Sequence, residues 1–107
     1  MTEKTRVLDN LYTVIVNREG GDLEKSYTAQ LLAQGLPKIA QKVGEESVEI
    51  ITAALSDNKN KVIEESADLL YHLLVLWAKK GVTPNEVWDE LRSREGVSGI
   101  EEKAARK

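Results

Sequence analysis

Glu45, Glu46 and Glu49, followed by Glu65 and Asp68, put five carboxylates into two short clusters. Residues three or four apart share one face of a helix, so each cluster aims its acids in a common direction. Between them, Ser56-Asp57-Asn58-Lys59-Asn60 holds no apolar residue and reads as a turn. In an antiparallel hairpin folded at that turn, Glu46/Glu49 and Glu65/Asp68 stand at one height, about 14 Å from the bend at ~1.5 Å per residue. Like charges gathered at one level repel strongly unless a cation sits among them. The spacing therefore predicts a metal site built from carboxylates alone.

Ligand chemistry narrows the ion. Oxygen-only donors favour magnesium, manganese or calcium and disfavour zinc and copper. Iron bundles use Glu-x-x-His on paired helices, and the single histidine, His72, is not part of such a pair. Magnesium keeps several waters and bridges to substrate phosphates, so the expected cofactor is Mg2+, with Mn2+ as a substitute, and the expected chemistry is at phosphate esters or anhydrides. Glu45, Glu46 and Glu64 also suit an ordinary solvated helix face, because Glu is a strong helix former. Asp68 fits that reading less well. It lies in the apolar run 67–78, where a lone buried carboxylate would be costly, and a shared cation would compensate it. Lys42, one turn before the first cluster, is either a phosphate contact or a helix pair for Glu46. Arg92, Arg94 and Lys103 either bind an anionic ligand or stay solvated. His72, one turn past Asp68, either supports the site or is a satisfied core residue.

The elements that must position these groups are legible from periodicity and punctuation. Helices are expected over 5–17, from an N-cap at Ser26 to Gly35, from Pro37 to about 55, and over 58–80 closed by Gly81. Thr83-Pro84-Asn85-Glu86 is a capping box that opens a fifth helix through about Ser93. Residues 95–99 read as a loop, and the charged tail 101–107 as helical or frayed. With no alternating strand pattern, the expected fold is all-α: a compact bundle of about five helices around a central antiparallel hairpin, as one domain over 1–107. The fourth helix is apolar around nearly its whole circumference. Either the first two helices wrap it, or a two-fold dimer supplies the cover.

Composition excludes several classes. The chain has no cysteine, which removes disulfides, zinc ribbons and thiol catalysis and fits a reducing, cytoplasmic location. A net charge of −3 gives no basic field for nucleic acid. No secretory leader is expected from the charged start Met-Thr-Glu-Lys-Thr-Arg, and no apolar run approaches the roughly 20 residues of a membrane span. Nothing resembles a phosphate-binding glycine loop or a nucleophilic triad.

Taken together, several segments match something known. The acid clusters resemble the metal motif of the all-α nucleotide pyrophosphohydrolases, the MazG-like group. The likeness is greatest to the phosphoribosyl-ATP pyrophosphohydrolase family of histidine biosynthesis. Ser26-Tyr27-Thr28 with Leu31-Leu32, Lys42-Val43-Gly44-Glu45-Glu46, Asp68-Leu69-Leu70-Tyr71-His72 and the Arg94-x-Gly96-x-Ser98-Gly99-Ile100-x-Glu102-Lys103 ending carry that likeness, which spans about 8–106. It implies hydrolysis of 1-(5-phosphoribosyl)-ATP to 1-(5-phosphoribosyl)-AMP and pyrophosphate with magnesium, in a helical homodimer with sites near the subunit interface. It further implies Glu46, Glu49, Glu65 and Asp68 as metal ligands, and Glu45 as a further ligand or the group that orients water. Glu45, Glu46 and Glu49 would form the catalytic set. Lys42 would hold phosphate oxygens, and Arg94 with Lys103 would reach the substrate's other phosphate. The cyclohydrolase that is fused to this activity in some organisms needs Cys and His ligands for zinc, which this composition cannot supply. Two other readings stay open at this stage: a house-cleaning pyrophosphohydrolase for free nucleoside triphosphates, and a non-catalytic metal-binding helical dimer.

Overall fold

The computed structural model describes residues 3–106, and every regular element among them is helical. A 3-10 turn at Glu3–Arg6 leads into α1 (Val7–Asn17), followed by α2 (Tyr27–Gln34), α3 (Leu36–Ala54), α4 (Lys59–Lys80), α5 (Pro84–Ser93) and α6 (Gly99–Ala105). Six α-helices thus stand where about five were expected. The extra one is the tail, whose N-terminus is capped when the Ser98 side chain accepts from the Glu101 amide. The first helix also starts later than expected, its opening turn being 3-10.

The hairpin of α3 and α4 is the spine, with α1 and α2 packed on α4. Its bend is built from local polar bonds. The Ser56 hydroxyl donates to the Ala53 carbonyl at 2.7 Å, and the Asn58 side chain accepts from the Lys61 amide at 3.2 Å, which caps α4. Gly35 joins α2 to α3 without a loop, at φ 89° and ψ 177°. Its amide closes α2 onto the Leu31 carbonyl, and its own carbonyl accepts from Ile39 in the first turn of α3. That backbone conformation is essentially reserved for glycine. At the far end of α4, Gly81 adopts the left-handed conformation at φ 72°, and the Val82 amide reaches back to the Trp77 carbonyl at 2.9 Å. This Schellman closure turns the chain into the Thr83/Glu86 capping box of α5.

The core is Ile15, Leu31, Leu32, Ile39, Leu74 and Val75, one contiguous cluster joining α1 to α4. Tyr12 donates to the Val82 carbonyl at 2.7 Å, and Trp88 donates to Asp9 while packing edge-on against Trp77, so α5 is held to α1 and α4. One face of the hairpin receives no such cover. Val48, Ile51 and Leu55 on α3 are 62%, 58% and 86% exposed, and Ile63 and Leu70 on α4 are exposed too. α1 and α2 therefore wrap only one side of the apolar fourth helix. No helix among the described residues is long and apolar enough to cross a membrane.

Gly35→Ala should destabilise the chain by about 1–3 kcal/mol in urea unfolding, through backbone strain alone. The nearest atom to an added Cβ there is Pro37 Cδ at 3.9 Å, so crowding contributes nothing.

Candidate metal centre and its surroundings

Glu46 and Glu49 lie on α3 and Glu65 on α4, and each offers a carboxylate oxygen within 4.8 Å of the others. The hairpin thus brings three of the expected ligands together. Glu46 is buried at 6% exposure, an unusual place for a glutamate. One of its oxygens stands 3.9 Å from the Lys42 ammonium, while Oε2 is buried without a hydrogen-bond partner. Glu65 Oε2 is buried and unpartnered as well. Buried polar atoms are almost always bonded, so two bare carboxylate oxygens in one cluster call for a positive partner.

Electrostatics tell the same story. Burial first, then Glu49 and the charge of Asp68, push the Glu46 carboxyl above the ordinary range, against the pull of Lys42. Contact with Glu49 first, then desolvation and the charges of Glu49, Asp68 and Glu46, push Glu65 up as well. Each charged form is thus disfavoured by its neighbours. An all-oxygen donor set of this kind fits a hard divalent cation.

Asp68 departs from expectation. It is exposed, rather than buried among the apolar residues of α4. Its charge reaches Glu46 and Glu65, but its oxygens lie outside the three-residue group. The helix turns it toward solvent at the edge of the hairpin, while its backbone carbonyl points inward and accepts from His72. Glu45 is also exposed and is not one of the three converging acids. Gln41 donates to its Oε2 at 2.8 Å and Lys42 to its Oε1 at 3.2 Å, which holds this carboxyl below the usual range. Lys42 therefore bridges the two glutamates, and its own pKa is raised, first by the bond to Glu45. Arg94 is taken up by Glu90 at 3.1 Å and by Glu102 at 3.4 Å, which ties α6 to the end of α5. Lys103 sits on α6, which packs little on the hairpin, and forms no ion pair among the described residues.

His72 is both a satisfied core residue and a neighbour of the site. Its Nδ1 lies 2.8 Å from the Asp68 carbonyl, which can only accept, so Nδ1 carries the proton. In the neutral ring, Nε2 then accepts from the Tyr27 hydroxyl at 3.0 Å. Thr28 and Tyr71 share a further hydroxyl–hydroxyl bond beside this pair. Tyr27 thereby reaches the acid cluster from α2. Desolvation first raises the pKa of its hydroxyl, and Lys42, Glu46 and Glu45 are near enough to act on it. Periodicity gave no reason to place Tyr27 here. Only its presence in the Ser26-Tyr27-Thr28 segment hinted at it.

Glu49 and Glu65 also line a groove of 400 Å³ toward the hairpin bend, together with Val48, Thr52, Ser56 and Lys61. No sequence pattern points to Lys61 there. It projects from the first turn of α4, one turn before Glu65.

Comparison with known proteins adds to this geometry. The family described as phosphoribosyl-ATP pyrophosphohydrolase matches residues 8–95. A protein of Paramagnetospirillum magneticum named phosphoribosyl-ATP pyrophosphatase is 58% identical over 106 residues, covering 99% of this chain and 97% of its own. Proteins of the same name from Azospirillum brasilense and Trichlorobacter lovleyi are 56% and 49% identical, over 94% and 100% of this chain and 91% and 99% of theirs.

The raised carboxyls set a pH dependence. Groups whose folded pKa lies above the unfolded value, about 4.3 for Glu, stabilise the fold fully below that value and lose this contribution as pH rises through the folded pKa. Without metal, the melting temperature should fall as pH climbs through that weakly acidic window. Millimolar magnesium should raise it at neutral pH and do little at the acid end, as read by scanning fluorimetry. The double variant Glu46→Gln/Glu65→Gln should flatten both responses; a wild-type melting temperature indifferent to magnesium at pH 7 counts against the centre.

Proposed function

Because this chain belongs to the phosphoribosyl-ATP pyrophosphohydrolase family, we propose that its acid cluster is the catalytic centre for pyrophosphate release. The enzyme hydrolyses 1-(5-phosphoribosyl)-ATP to 1-(5-phosphoribosyl)-AMP and pyrophosphate, the second step of L-histidine biosynthesis. The observation that carries the site assignment is the convergence of Glu46, Glu49 and Glu65, with bare buried oxygens, on one point between α3 and α4.

In this reading Glu46, Glu49 and Glu65, together with Asp68, would hold Mg2+, or Mn2+ in its place. The bound ion supplies charge neutralisation on the phosphate oxygens and favours attack by water on phosphorus. Lys42 leaves its bridge between Glu45 and Glu46 to meet a phosphate oxygen as a point charge. Glu45, which Gln41 still holds once Lys42 has moved, orients the attacking water and accepts its proton. The water oxygen bonds to the α-phosphorus, the α–β anhydride breaks, and the β-phosphate oxygen leaves with pyrophosphate.

The same reading includes a homodimer. Val48, Ile51 and Leu55 recur at helical spacing along one stripe of α3, and Ile63 and Leu70 face outward from α4. An uncovered apolar stripe on the helices that hold the acids suits a two-fold helical interface close to the site. The enzyme acts in the cytoplasm in this reading, and nucleic acid and membrane have no part in it.

Glu49→Gln and Asp68→Asn should each lower kcat for pyrophosphate release by on the order of a hundredfold. Chelation of divalent ions should abolish turnover reversibly, and ATP, dUTP and dCTP should be poor substrates. Variants that keep full turnover and change only thermal stability would mean the acids bind a structural ion. In sedimentation velocity, Ile51→Glu should shift the species from dimer toward monomer.

A further inference from the structure

Phosphoribosyl-ATP differs from a free nucleoside triphosphate by a ribosyl arm that ends in a second, monoester phosphate. If the reading above holds, that arm needs a place beside the acid cluster, and Arg94 is already engaged with Glu90 and Glu102. A cavity of 480 Å³ opens between α1, the loop after it and the start of α2. That is within the range of small-molecule sites, roughly 300–1,000 Å³. Arg18 and Lys25 line it, with the hydroxyl-bearing residues Ser26, Tyr27, Thr28 and Tyr71.

Three observations make this a prepared anion site rather than a surface dent. Neither Arg18 nor Lys25 has an ion-pair partner among the described residues, so both cations are free to meet a ligand. The one acid in the lining, Asp22, is committed to its own turn, where it accepts from the Glu24 amide at 2.9 Å. The inner wall is cross-braced. Tyr27 and Tyr71 stack with ring centres 6.3 Å apart, Thr28 bonds Tyr71, and Tyr27 is anchored on buried His72. Tyr27 also joins the two compartments, since it lines the cavity and its hydroxyl bonds His72, whose other nitrogen bonds the carbonyl of Asp68 on the helix that carries Glu65. A ligand with its triphosphate at the acids therefore passes Tyr27 to reach the two cations.

We propose that this cavity is the specificity subsite for the phosphoribosyl arm, with Arg18 and Lys25 holding its terminal phosphate and Tyr27 forming the boundary with the acid cluster. Arg presents a planar fork to phosphate oxygens and Lys a mobile point charge, so the pair suits a dianion at the end of a flexible arm. Such a subsite lets the chain select the longer substrate over a free nucleoside triphosphate.

The test is steady-state kinetics of the full chain with magnesium, together with inhibition by each product. Arg18→Gln and Lys25→Gln should each raise KM for phosphoribosyl-ATP about tenfold and leave kcat within about twofold. Inhibition by phosphoribosyl-AMP, which keeps the arm, should weaken in parallel, and inhibition by pyrophosphate, which lacks it, should not change. Arg18→Lys should recover part of the loss. An unchanged KM, a fall confined to kcat, or equal weakening of both product inhibitors would overturn the subsite while leaving the functional reading intact. A wild-type chain without turnover of phosphoribosyl-ATP would overturn both.

Discussion

Carboxylate crowding between α3 and α4 is the constraint from which the rest of this structure takes its meaning. Glu46, Glu49 and Glu65 approach within one coordination sphere, and two of their oxygens are sealed from water without a partner. In a low-dielectric gap such an arrangement raises the carboxyl pKa values and works against folding. A protein under selection for stability alone would replace these acids with apolar residues of similar volume. Their presence on the hairpin makes sense when a divalent cation balances their charge.

The fold supplies rigidity where this centre needs it. Gly35 links α2 directly to α3, and polar bonds at the Ser56–Asn58 bend set the register of α4 against α3. The register decides whether Glu65 faces Glu49 or slides a turn away. From the other side, Tyr27 and His72 brace the carbonyl of Asp68, so α2 and α4 are joined by hydrogen bonds just behind the acids. This leaves the side chain of Asp68 exposed at the rim while its backbone carbonyl is held.

The helices themselves were readable from local chemistry. Capping residues at Ser26, Asn58 and Thr83 and the glycines at 35 and 81 act within one turn of the chain, so the sequence alone places four helices to within a residue or two. The tail helix is not legible in the sequence, because a short charged segment has no apolar period to declare it. The acid motif was equally visible, since its spacing is a property of the helices that carry it. Fates that depend on partners across the fold were not. Glu45 and Glu46 are neighbours in sequence, yet one faces Gln41 and solvent while the other enters the core.

Sequence by itself thus determined the all-α architecture, the central hairpin and the family, because helix period, caps and turns are local and because the motif segments are contiguous. Tertiary structure alone decided which acids converge, that Asp68 stays at the rim, that Arg94 is spent on the tail, and that Tyr27 stands between the acids and a basic cavity. Those outcomes depend on the rotation of each helix about its axis and on contacts such as Tyr27 with His72, 45 positions apart in the chain. Packing of the core sets that rotation, and no local pattern encodes it.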